Sequence, residues 1–261
     1  MTNGLDFLVS RILNLKHGNA RSENFKIRQV MASHTGSLSM RKSDEALFAI
    51  SILIVAALVV AMDIVITPIL SSQYGSASLS IVFFWDFNVV LVAGLAGMLF
   101  APRVGCPLWW RHNDSSPDSR RTNYAILLLG LVLVVLNTIS NIVNVEQAKQ
   151  AAPWLVLLTP ETAVALSFRA ALNEGILFRL FLFPLVAWVA KRFGGSQRAS
   201  LGLGALASSL VYGYIHGLGF IWAFSVGLAL IYIYHHRGLL PAMVIHFFAD
   251  AIPLVLMSMM L

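Results

Sequence analysis

Charge is scarce in this sequence. Asp, Glu, Lys and Arg make up only 11% of its 261 residues, where a soluble domain carries roughly 25%. Too few polar side chains remain to cover a core in water, which excludes an ordinary soluble domain. Cysteine is scarcer: Cys106 stands alone, so no internal disulfide and no cysteine metal cluster can form, and it reads as an incidental loop thiol. No apolar core of signal-peptide type stands near the start, so a secretory signal is not expected. Internal repeats, low-complexity tracts and a second domain are not visible either.

Hydrophobic sequence is abundant, at 58%, and it falls in runs long enough to cross a bilayer, which takes about 20 residues of helix. The runs 46–70, 79–100 and 124–143 each have the length of one crossing. Beyond Pro153 an apolar stretch reaches residue 190, with Pro160 and Glu161 as a helix start inside it. This predicts a helix over 161–190, preceded by an interfacial piece. Further runs at 199–216, 220–234 and 239–260 are separated by glycine-rich or basic breaks. The expected fold class is all-α, a polytopic transmembrane bundle of about seven helices. Its expected parts are a basic tail over 1–44, N-terminal transmembrane helices over 45–152 and a third part over 153–261.

The net charge of +6 does not imply a nucleic-acid partner, because the basic residues punctuate apolar runs instead of forming a reading face. Fifteen of the 18 Lys and Arg lie in four places: the tail, the loop with Arg103, Arg111, Arg120 and Arg121, the group Lys191, Arg192 and Arg198, and Arg237. A seven-helix path puts all four on one side, which the positive-inside rule makes cytoplasmic. The expectation is an integral, multi-pass protein of a bacterial plasma membrane with its N-terminus in the cytoplasm. His235 and His236 beside Arg237 then read as solvated anchors, His112 as a loop residue, and Trp109, Trp110, Trp154 and Trp188 as belt residues at the membrane interface.

Ionisable residues inside apolar helices cost about 2.5 to 3.5 kcal/mol each on insertion scales, so each asks for a partner or a function. Asp63, Asp86 and Arg169 fall on three helices at one common depth, about 10 to 12 Å from the outer boundary, and Arg169 is expected to contact one of the aspartates. Glu174 has no such match on its own helix: Arg179, five residues on, lies about 140° away round an α-helix. It is a candidate general base. His246 and Asp250, four apart, share one helix face, which suits a His oriented by a carboxylate, two ligands of one metal ion, or a polar link between helices. Tyr212 and His216 repeat the spacing two segments earlier.

Together Glu174-Gly-Ile-Leu-Phe-Arg179, Tyr212-Gly-Tyr-Ile-His216 and His246-Phe-Phe-Ala-Asp250 resemble the three ordered motifs, EExxxR, FxxxH and Hxxx(N/D), of the CAAX protease and bacteriocin-processing family. Phe178, the Leu-Phe-Pro ending at Pro184 and the Gly238-Leu-Leu-Pro-Ala before the third motif are similar as well, so the resemblance covers about 153–253 and makes 153–261 the expected catalytic core. Such a resemblance implies an intramembrane endopeptidase that hydrolyses peptide bonds of membrane-associated substrates, with CAAX-type C-terminal processing as one form. Its alternative is a catalytically silent binding or bacteriocin-immunity relative. It implies that Glu174 and His216 activate the attacking water, that His246 and Asp250 stabilise the oxyanion, and that Arg179 and Tyr212 support the site. Both metal-free chemistry and a divalent metal such as zinc fit the residue types, with Glu174, His216 and His246 as the ligands in the second case.

The sequence departs from the family pattern twice: Gly175 stands where a second glutamate is usual, and Tyr212 where Phe is usual. Residues 174 and 175 point about 100° apart on an α-helix, so a second glutamate there is expected to be secondary. Counting helical rise from the cytoplasmic ends puts His246 about 12 Å deep and His216 about 27 Å deep. They meet only if the helix carrying His216 starts later, tilts or breaks.

Overall fold

The protein is described by a computed structural model over residues 42–110 and 117–261. Most of the expected basic tail, and Arg111 and His112 of the expected basic loop, lie outside the described residues. Among those described, every regular element is helical and there is no strand. The expected all-α class therefore holds.

The first apolar run forms α1 (Lys42–Val65), which breaks at Ile66 and resumes as α2 (Thr67–Tyr74). Pro68 in the first turn of α2 explains the break, since it cannot donate to the turn before it. Then come α3 (Leu79–Phe100), α4 (Pro117–Val143), and the short α5 (Val145–Ala151) with a 3₁₀ turn over Pro153–Leu157, in the stretch expected to be interfacial. α6 (Pro160–Glu174) starts where predicted, behind a reciprocal cap: the Thr162 amide donates to Thr159 Oγ1 at 3.3 Å and the Thr159 amide to Thr162 Oγ1 at 2.8 Å. It continues through a π-helical segment (Gly175–Leu182) into α7 (Phe183–Arg192). The last three helices are α8 (Gln197–Ile215), α9 (Phe220–Arg237) and α10 (Leu239–Ser258).

Five stretches among the described residues are long and apolar enough to cross a membrane: Asp44–Val65, Ser76–Val104, Arg120–Val143, Pro160–Arg192 and Leu239–Ser258. α8 and α9, each expected to cross, are not among the five. Both carry more small and polar residues and pack against neighbouring helices, α8 against α7 and α9, and α9 against α10. Gly204 marks how close α8 comes, because a Cβ there would stand 2.7 Å from the Phe183 carbonyl. α4, by contrast, turns Leu127, Leu128 and Leu131 outward, each at least 60% exposed, a surface suited to lipid and not to water.

Arg169 on α6 bonds both aspartates, Asp63 of α1 through Nε and Asp86 of α3 through Nη2. Asn173 adds a bond to Asp86 at 3.3 Å. The expectation of one contact is thus exceeded, because a guanidinium presents two edges to two carboxylates at once. This cluster ties α1 and α3 to the helix that ends in Glu174.

The start of α10 is held from outside. Gly238, at φ 102°, makes the corner, and a Cβ there would stand 2.5 Å from the Trp109 carbonyl. The amides of Leu239 and Leu240, unpaired in an isolated helix, donate to the carbonyls of Leu108 and Trp109 at 3.3 and 3.0 Å. Two expectations are corrected here. Cys106 is buried in its loop and its Sγ lies 3.7 Å from Nδ1 of His235, so His235 is not simply a solvated anchor. Trp109 donates to Ser51 Oγ at 2.8 Å and packs on Phe48, which makes it a joint between loop and α1 as much as a belt residue.

Candidate active site

Pro184 shapes the first motif. It lacks an N–H, and its ring would clash with the carbonyl of Leu180 in a regular α-turn. The chain widens before it, and Phe183 donates to the Phe178 carbonyl in the i→i+5 pattern of a π-helix. Ser208 of α8 donates to the same carbonyl at 2.8 Å. This revises the separation of Glu174 and Arg179: they are one π-turn apart, so they lie nearer one face than the α-helical count of about 140° allowed. No ion pair joins them among the described residues. The Arg179 guanidinium is buried and lies over the ring of Tyr212, 4.6 Å from its centroid.

Nε2 of His246 is the centre of the site. Asp250 Oδ2 lies 3.2 Å from it, Glu174 Oε2 3.5 Å, and the Tyr212 hydroxyl 3.3 Å. His246 is buried, whereas Glu174 and Asp250 keep 22% and 29% of their side-chain exposure, with Glu174 Oε2 itself buried. The i, i+4 spacing on α10 brings Asp250 back to His246 as expected. Glu174 arrives from α6 and Tyr212 from α8, so three separate helices meet at one imidazole nitrogen.

His216 does not join that cluster directly. α8 starts at Gln197, no later than expected, and a gap is left between the two histidines. It is bridged by Tyr212, one turn earlier, whose hydroxyl reaches His246 while its ring lies 4.4 Å from the exposed ring of His216. Nδ1 of His216 is 2.7 Å from the Tyr212 carbonyl. A carbonyl only accepts, so Nδ1 carries the proton, and Nε2 of the neutral ring is left as a base. Tyr212, His216 and Asp250 line one cavity of about 210 Å³ together with Asn137, Asn141 and Trp222.

Glu174, His216 and His246 do not converge as ligands, and no three His, Cys, Asp or Glu side chains among the described residues form a group able to hold a metal ion. As placed, these residues do not fit the ligand set considered from sequence. Sequence reasoning also passed over the Tyr212 hydroxyl as a polar contact of His246, and over Asn137, Asn141 and Trp222. The last three had a signal, being polar atoms in segments otherwise apolar.

Among the described residues, a bundle with helices of membrane-crossing length brings carboxylate, imidazole and phenol to one cavity. Residues 152–252 match the family described as Type II CAAX prenyl endopeptidase Rce1-like, the family whose three motifs the sequence resembles. The match takes in Glu174, Arg179, Tyr212, His216, His246 and Asp250, and leaves α1 to α5 outside. No curated protein and no solved structure matches the chain. Match and helices together make this an integral membrane protein with a CAAX-protease-like segment.

Proposed function

We propose that this protein is an intramembrane endopeptidase hydrolysing peptide bonds of membrane-associated substrates, of the kind met in C-terminal CAAX processing. The observation that carries the reading is the convergence of Glu174, Tyr212 and Asp250 on Nε2 of His246 beside a cavity that His216 also lines. Glu174 acts as general base: it takes a proton from a water in the site, and the resulting hydroxide attacks the scissile carbonyl carbon. The carbonyl π electrons move to oxygen. The oxyanion forms beside the His246 Nε2–H, which donates to it, while Asp250 Oδ2, 3.2 Å from the same nitrogen, keeps that proton on Nε2. As the tetrahedral intermediate collapses, the C–N bond breaks and the amine leaves with the proton that Glu174 gained. His216, basic at Nε2, assists in orienting the water.

The reading is tested by presenting purified protein in lipid nanodiscs with a library of membrane-anchored peptides, prenylated and unprenylated, beside a Glu174→Gln variant. Cleavage by the natural protein, reduced at least a hundredfold in the variant, is expected for a lost general base. No product above the variant's level would overturn the reading and leave a membrane protein that binds such peptides without cutting them.

A further inference from the structure

Pro253 leaves a gap in the hydrogen bonding of α10 four residues downstream of Ala249 and three after Asp250. In an α-helix the amide of residue 253 would donate to the Ala249 carbonyl, and proline has no amide proton. That carbonyl is not left alone. Asn137, from α4, donates to it through Nδ2 at 2.7 Å.

The orientation of the Asn137 amide is fixed by its other contacts. Trp222 of α9 has only a donor to offer, and its Nε1 lies 3.0 Å from Asn137 Oδ1. Asn141 Nδ2 approaches the same oxygen at 3.1 Å. With two donors on Oδ1, Nδ2 must be the atom that faces Ala249. The three side chains line the same cavity as His216 and Asp250, so this network borders the site and is not a remote packing detail.

From this we infer that Asn137 is a positioning residue for the candidate active site, replacing the backbone donor that Pro253 lacks and so fixing the turn of α10 that carries Asp250. The inference rests on the protease reading for its catalytic consequence, but not for the link itself. Asn137 and Pro253 both fall outside the family match, so this support of the site comes from helix α4 and the end of α10.

The cross-check is a double-mutant cycle between Asn137→Ala and Pro253→Ala on the full chain in nanodiscs. Pro253→Ala returns an amide donor to the Ala249 carbonyl, so it should make Asn137 dispensable. Amide hydrogen exchange over residues 250–256 reads the link without any activity: Asn137→Ala is expected to speed exchange at least tenfold in the natural background and less than twofold beside Pro253→Ala. Cleavage of the peptides found above reads the consequence: Asn137→Ala is expected to lower kcat about tenfold with KM within threefold, and the double variant to recover most of that loss. Equal effects of Asn137→Ala in both backgrounds would overturn the inference, as would a change confined to KM. Absence of cleavage by the natural protein, with the exchange coupling intact, would overturn the protease reading while supporting the link.

Discussion

The Tyr212 hydroxyl lies 3.3 Å from Nε2 of His246, the ring nitrogen that also faces Glu174 and Asp250. Where the family motif usually has Phe, this chain has a third polar group on its central imidazole. The Tyr212 ring itself is held independently, under the Arg179 guanidinium and edge-on to Phe178 at 5.1 Å. Tyr212→Phe therefore removes one contact and keeps the packing. It is expected to lower kcat by about tenfold, within the size of one lost hydrogen bond to a charged or reacting group, while thermal unfolding shifts little. Steady-state cleavage and a melting curve on the same preparation check both halves.

Arg179 should separate stability from activity. Its side chain is buried, and neither Nη1 nor Nη2 has a hydrogen-bond partner among the described residues. A charge buried this way is costly, and an apolar residue of similar length removes that cost. The positive charge beside Tyr212 and Glu174 is lost with it. Arg179→Met is expected to melt at the same temperature or higher, yet to cleave at least tenfold more slowly. A variant that is both less stable and fully active when folded would contradict this assignment.

The Arg169 cluster should behave in the opposite way. Removing the guanidinium leaves Asp63, fully buried, and Asp86 without their shared cation, a change that costs on the order of 3 to 5 kcal/mol in buried pairs. Arg169→Leu is expected to lower the melting temperature sharply, and Arg169→Lys to restore only part, since one ammonium cannot present two edges to two carboxylates. Unfolding in nanodiscs or mild detergent, followed by tryptophan fluorescence, measures both.

Residues whose roles follow from periodicity or membrane cost were legible in the sequence. The span starting at Pro160, the His246–Asp250 face and the Arg169–aspartate link all follow from helix geometry and the expense of intramembrane charge. What escaped depended on proline acting at a distance. Pro184 widens the preceding turn and moves Arg179 toward the face of Glu174, and no regular helical count includes that step. Pro253 opens a carbonyl that only a residue of α4 can reach. Nor did counting rise along separate helices show that Tyr212, and not His216, would be the contact of His246, because that depends on how α8 and α10 each pack against the π-helical segment and α9.

Position 175 is the sharpest test of how this chain differs from the family pattern. From direction alone a second glutamate there would be secondary and tolerated, since it points about 100° from Glu174 in an α-helix. The structure adds a steric obstacle. Gly175 is buried, and a Cβ on it would stand 2.8 Å from both Cε and Cγ of Met243, one turn before His246 on α10. The Cε end of Met243 can swing away, but Cγ is close to the backbone and gives only if the helix shifts. Gly175→Glu is therefore expected to move α10 against the π-segment, separating His246 from Glu174, and to reduce cleavage by more than tenfold. Shortening the obstacle should relieve it: Gly175→Glu combined with Met243→Ala is expected to recover activity to within about fivefold of Met243→Ala alone, as for two side chains in direct contact. The measurement is cleavage by the four proteins of that cycle at matched membrane expression. Gly175→Glu as active as the natural protein would show that Met243 yields freely and that the packing at 175 does not control the site.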